Sequence, residues 1–317
     1  MLISVLSIAA PAQTCLTASD MDEGTRSALL ATGKRFYDRA AHGDTASLQQ
    51  SAITSLATNF SGIENAVKEN HANLAAAQPA SRAPFLLKAE GNEPVARAEF
   101  LCGVFGSQGQ TRDSAVFVIP NLPPGKYGIV TLDATSAQGA HTVSFVLQQQ
   151  AGDWRLGGFY VRLTQVAGHD GNWFADRARE FKTKRQNHNA WFYYGEAREL
   201  LVPVPFMATA TTDKLYDEMQ TVKPADLPPV DLIAGAKTFK VTDLFPVPVG
   251  QDFDLVVRYQ SADVSDSGRT FQDNAAVMKA LLAKYPELRD GFAGIVVRAV
   301  EPSGRDYGSM LPMKDIK

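Results

Sequence analysis

Apolar positions in the first eighty residues recur at spacings of three and four. Across 21–42, Met21, Ala28, Leu29, Thr32, Phe36, Tyr37 and Ala40 predict an amphipathic helix. His42-Gly43-Asp44 closes it: Gly43 is a stop and Asp44 caps the next helix. Leu48, Ala52, Ile53 and Leu56 carry that second helix over 45–58. Ser61 caps a third with Ile63, Ala66, Val67 and Leu74, and the stretch from Pro79 to Pro84 breaks the helical region. From residue 85 the period becomes two. Strands are expected at 85–90, 95–105, 114–120, 126–135, 140–149 and 153–164. Turn chemistry separates them at Gly91-Asn92, Gln108-Gly109, Pro123-Pro124-Gly125, Gln138-Gly139 and Gly152-Asp153. Consecutive strands with short turns predict an antiparallel sheet with the helices on one face, an α+β arrangement. Strict alternation on the last strand places Trp154, Leu156, Gly158, Tyr160 and Arg162 on one face. Arg155, Gly157, Phe159, Val161 and Leu163 take the other.

The second half reads differently. Helices are expected at 172–185, with Phe174, Ala178 and Phe181 on one face, and at 189–202, ended by Pro203. The polar turn Arg185-Gln186-Asn187-His188 makes them a hairpin, expected to pack against the first sheet. Trp191 and Tyr194-Gly195 loosely resemble the start of a tetratricopeptide unit, but no second copy follows. Residues 222–229 (VKPADLPP) read as a linker. Strands follow at 230–234, 237–245 and 253–260, a helix at 270–285 stopped by Pro286, and a strand at 293–300. Val256-Val257 and Ile295-Val296-Val297 flank that helix as short buried-type strands, the signal of a βαβ crossover and a small α/β region. The tail from Gly304 to Met310 is turn-like; covering an edge and lining an interface both stay open. The expected divisions are 1–12, 13–165, 166–221 and 222–317.

About three helices followed by a long curved sheet resembles the nuclear transport factor 2-like, cone-shaped α+β superfamily over residues 20–165. The resemblance is carried by Phe36-Tyr37-Asp38-Arg39-Ala40-Ala41-His42-Gly43-Asp44 on the opening helix and Trp154-Arg155-Leu156-Gly157-Gly158-Phe159-Tyr160 on the closing strand. It implies a pocket inside the cone. The superfamily holds both enzymes and binding modules, so it leaves function open. Candidate lining residues are Phe36, Tyr37, Tyr127, Asp133, His141, Phe145, Trp154 and Tyr160, with ordinary core packing as the plain alternative.

The chain of 317 residues has a net charge of -3, which gives no basic field for nucleic acid. Residues 2–12 (LISVLSIAAPA) match the apolar region and A-x-A cleavage site of a secretory leader, with the cut before Gln13. No Lys or Arg precedes Arg26, so either the reading frame starts further upstream or the run is no leader but a short buried strand or helix. No later stretch has the length of a transmembrane span. Export allows one intramolecular pair between the only two cysteines, Cys15 and Cys102; the plain reading is a buried thiol at Cys102. Ala12-Gln13-Thr14 before Cys15 is a poor lipidation signal, so no lipid anchor is expected.

No G-x-S-x-G, P-loop, G-x-G-x-x-G, H-E-x-x-H or C-x-x-C signature occurs. The five histidines are scattered, so neither a metal nor a cofactor is expected. Asp252-Phe253-Asp254 and Asp263–Asp266 lack calcium-loop spacing and read as solvated turns. The basic stretch from Arg177 to Arg185 spreads around its helix and reads as surface. These observations favour an exported, non-catalytic protein that binds a small apolar ligand or a protein partner, with a homodimer through an exposed sheet face as one form. The alternative is an isomerase- or hydratase-type enzyme in which Asp133 orients His141 as acid or base beside Tyr127.

Overall fold

The structure, a computed structural model, describes residues 13–104, 114–137 and 139–317. The leader-like run, the Gln108-Gly109 turn and Gln138 lie outside these residues. The chain divides into two units. The first runs to Thr164 and includes Val202–Asp213; the second comprises Gln165–Leu201 and Lys214–Lys317. Elements are numbered along the whole chain.

In the first unit, α1 (Glu23–Ala41) begins at Asp22, whose carboxylate accepts the Thr25 N–H at 2.8 Å. The helix expected over 45–58 is broken into α2 (Thr45–Gln50) and α3 (Thr54–Ala57). Between them the chain bridges to a strand: the Ile53 N–H donates to the Leu156 carbonyl at 2.9 Å. α4 (Ser61–Ala75) follows. The main sheet has the order β1 (Gln13–Leu16), β3 (Phe85–Ala89), β6 (Gly125–Ser136), β7 (Gly139–Gln150) and β8 (Asp153–Leu163). The short β2 (Gln78–Ser81) also pairs with β6.

The single antiparallel sheet expected from the run of strands is corrected. β4 (Val95–Cys102) and β5 (Ala115–Leu122) leave it, and with β11 (Met207–Ala208) form a second sheet. The reason is burial on both faces of β6. Its Val130, Leu132 and Ala134 pack under the helices with Phe36, Phe145 and Leu147. Its Tyr127 and Ile129 point the other way, against Ala98, Phe100 and Cys102 of β4 and Phe117 of β5. At Tyr127 and Ile129, that face of β6 is covered by the second sheet.

Two devices hold these layers. The Cys15–Cys102 disulfide is formed and joins β1 to β4, with Cα atoms 5.0 Å apart and a sequence separation of 87. Closing a loop of that length stabilises by about 4–5 kcal/mol in the chain-entropy model. On the other side, α1 sits close enough to β6 that a Cβ on Gly33 would meet Val130 Cγ1 at 2.5 Å, and one on Gly128 would collide with Leu29. Each glycine is the hole for the other element's knob.

The second unit opens with a short ladder, β9 (Gln165–Val166) and β10 (His169–Asp170), and the hairpin α5 (Gly171–Thr183) and α6 (Asn187–Leu201). α7 (Ala210–Gln220) carries Leu215 into this unit's core. The five-stranded sheet runs in chain order: β12 (Val230–Ala234), β13 (Lys237–Val249), β14 (Asp252–Gln260), β15 (Gly294–Val300) and β16 (Asp306–Pro312). All pairs are antiparallel except β14–β15, which are parallel and joined through α8 (Ser267–Lys284) and α9 (Leu288–Gly291). The turn-like tail is therefore an edge strand.

The hairpin shares its core with this sheet: Phe174 packs 5.0 Å and Tyr193 5.4 Å from the Phe253 ring. Hairpin and α/β region form one unit, against the expectation of a hairpin packed on the first sheet. Nor is 222–229 a free linker, because Val222 is buried in the same core and Asp226 accepts a bond from His188.

Candidate functional site

The expected site lay inside the first unit, and the register decides where its residues point. Asp133 of β6 faces Thr142 across the ladder, whereas Ala134 faces His141. Neighbouring residues of a strand point to opposite faces. His141 therefore shares the helix-covered face with Val143 and Phe145, and Asp133 points away. Asp133 is instead clasped by Arg82, whose Nε and Nη2 donate to its carboxylate at 2.7–3.1 Å. The pairing of His141 with Asp133 is thus corrected. Burial pushes the His141 imidazole below its ordinary range, and among the described residues its ring has no hydrogen-bond partner.

The closing strand departs from strict alternation. Val146 opposes Gly158 and Leu147 opposes Leu156, so Gly157 is an extra residue, a β-bulge. The bulge swaps the faces beyond it. Trp154 and Leu156 lie with Phe159 and Val161 under the helices, while Tyr160 turns to the second sheet and meets Phe206 edge-on at 5.7 Å. Tyr127 is on that side too, its hydroxyl donating to the Pro123 carbonyl at 2.8 Å and accepting from Gln148 at 3.2 Å.

The eight candidates do not converge: Phe36, Tyr37, His141, Phe145 and Trp154 lie on the helix face, and Tyr127, Asp133 and Tyr160 on the other. The helix face is filled. Phe36 stands 6.0 Å from Phe145, which stands 5.5 Å from Phe159, and the Tyr37 hydroxyl donates to the Leu74 carbonyl at 2.8 Å. Burial raises the pKa of Tyr37, Tyr127 and Tyr160 above the usual phenol range, so they stay neutral. This interior is a packed core.

No family model, curated protein or solved structure matches the chain.

The second unit holds polar groups in a different setting. The hairpin and α8 pack on the sheet face made by Phe253, Leu255, Val257, Tyr259, Ile295, Val297 and Ala299. The alternate positions face away from them, and the ladders align these into rows. One reads Phe245, Val256, Val296, Met310; the next reads Asp243, Arg258, Arg298, Gly308. A bulge at Thr242 leads into β13's share of these rows. At the carboxyl ends of the parallel pair lies a cleft of about 570 Å³. Its walls include Asp243, Arg258, Gln260, Ser261, Val300 and Pro302.

Sequence reasoning did not single out Asp243 or Arg258. The available signal was the βαβ pattern, whose strand ends are favoured ligand positions. Asp254, read as part of a solvated turn, is buried on β14, and its Oδ1 has no partner among the described residues. Asp263 does lie in an exposed turn, accepting from Ser265 and Arg305. His169 stacks on Trp173 at 3.6 Å, and Asp170 caps α5. His188 is held at both nitrogens, 2.8 Å from Glu287 and 3.0 Å from Asp226. Among the described residues no three His, Cys, Asp or Glu side chains gather as a metal site.

Proposed function

We propose that this chain is an exported, non-catalytic binding protein whose first unit is a nuclear transport factor 2-like scaffold. The reading is carried by one observation: the interior where an acid–base pair was expected is filled by Phe36, Phe145 and Phe159, and His141 and Asp133 point to opposite faces. A small-molecule enzyme needs a reacting atom within reach of both groups. A filled interior also disfavours a small apolar ligand there, so recognition is assigned to polar surface outside the first core. An extracytoplasmic location agrees with the Cys15–Cys102 disulfide, since such bonds persist in oxidising compartments, and with the absence of any membrane-spanning helix among the described residues.

The test is incubation of the full chain with a mixture of small metabolites, followed by ligand-observed NMR. Compounds that broaden on binding and are recovered chemically unchanged support the reading. A new product peak that disappears in His141→Gln would overturn it in favour of an enzyme.

A further inference from the structure

The cleft in the second unit has an unusual charge arrangement. Asp243 and Arg258 are direct cross-strand partners on one face of the sheet. At that spacing opposite charges ordinarily pair. Here they do not. The Arg258 guanidinium lies over the Phe245 ring, 5.0 Å from its centroid, and among the described residues donates to no acceptor. The Asp243 carboxylate accepts only from the adjacent Thr242 hydroxyl, at 2.8 Å. The other charges nearby are engaged with each other. Arg298, beside Arg258 in the same row, is bonded to Asp306 at 2.6 Å from its Nε. Glu301 is held by Arg305 at 3.1 Å from the arginine Nε. One guanidinium and one carboxylate are thus left facing the same cleft, their own strands aligned and their charges uncompensated.

We propose that this cleft binds a small zwitterion of the α-amino acid class, with its carboxylate on Arg258 and its ammonium on Asp243. The inference deepens the binding reading above and rests on it. The aromatic backing sets the guanidinium plane and leaves its N–H edges for a carboxylate, which an arginine fork engages in two parallel bonds. Asp243 opposes a dianion such as a phosphate monoester and favours a ligand bearing a positive group close to its negative one. The Gln260 and Ser261 side chains supply further polar contacts, and Val300 and Pro302 an apolar wall. The volume of about 570 Å³ holds a ligand of this size with room to spare.

The experiment is a titration of the full chain followed by the backbone amides of Gln260, Ser261 and Ala262 and by Arg258 Nε in ¹⁵N NMR. The probes are valine, glutamate and lysine, with acetate and methylamine as half-ligands. At least one amino acid is expected to give saturable shifts at these signals, about tenfold or more tighter than either half-ligand. Arg258→Gln should weaken it by a similar factor. Asp243→Asn should weaken the amino acid but not acetate. Both side chains are exposed, and an unchanged melting curve verifies folding of each variant. Absence of saturable shifts at these signals, or shifts that survive Arg258→Gln, overturns the site. Amino acid binding that maps to other residues also removes this site while leaving the general binding reading intact. Turnover of a probe removes that reading itself.

Discussion

The two units use their sheets in opposite ways. In the first, β6 is buried on both faces, by helices on one side and by the second sheet on the other. In the second, the hairpin and α8 pack on the same sheet face. The first unit packs apolar side chains on both faces of β6, and the one carboxylate of that strand, Asp133, is clasped by Arg82. The second carries charged rows on the face away from its helices. Aromatic residues alone, which both units have in number, do not distinguish a pocket from a core. The number of covered faces does.

The largest test of this contrast is the disulfide. Cys15→Ser with Cys102→Ser should lower stability by about 4 kcal/mol, read as a shift in denaturation midpoint. Hydrogen-exchange protection should fall most in β1, β3, β4 and β5, the strands the bridge ties together. An unchanged midpoint would mean that the second sheet is held by packing alone. Next is the seat of α1. Gly128→Val drives a branched side chain into Leu29, and neither element can retreat without opening the core; about 3 kcal/mol is expected. The comparison is Gly62→Ala on α4, where no atom lies within 4 Å of an added Cβ and alanine favours the helix, so stability should hold or rise slightly.

How much of this contrast was legible beforehand follows from the range of each interaction. Local periodicity carried the helices α1, α4, α5, α6 and α8 and most strands, because amphipathic spacing is a property of one element. The parallel β14–β15 pair was legible for the same reason, from two short apolar strands around a long helix. Which strands share a sheet was not. Nothing in 95–105 marks it to leave its neighbours; the decision lies in Phe100 and Phe117 facing Tyr127, a contact between distant segments. The faces of β8 were misread because one residue, Gly157, breaks the period of two. β1 and β11 have too few residues to show a period, and β16 was masked by Gly304 and Gly308. In the candidate site, convergence of the named residues depended on register, where a step of one residue reverses the face.

In the second unit the His188 clasp offers a smaller effect. Its ring joins α6 to the segment before β12 through Asp226 and to the start of α9 through Glu287. His188→Ala removes both ring contacts and leaves two partly exposed carboxylates near each other, at a cost of about 2 kcal/mol. Denaturation midpoints measure it. Protection lost around Val222–Leu227 would show that this segment is pinned rather than free, and an unchanged exchange rate there would count against the clasp.

The smallest effect compares the units by pH. Burial, with Asp252 adding to it, raises the Asp254 carboxyl above the ordinary carboxylate range, while the Gly294 N–H opposes the shift. The folded chain then keeps a proton that the unfolded chain has already released. Stability from this group is full below the unfolded value of about 3.9 and declines as pH rises through the folded value. His141 in the first unit has the reverse sign: its pKa is lowered by burial, so its stabilising effect is present above the unfolded value of about 6.5 and is lost as pH falls through the folded one. Acid therefore weighs against the first unit and the approach to neutrality against the second. Asp254→Asn, which keeps the shape and removes the charge, should gain about 1 kcal/mol at pH 7 and flatten the slope from pH ~4 upward. His141→Gln should flatten only the slope below pH ~6.5. Urea midpoints at a series of pH values test both, and a wild-type slope unchanged by Asp254→Asn would mean that Asp254 is already paired in solution.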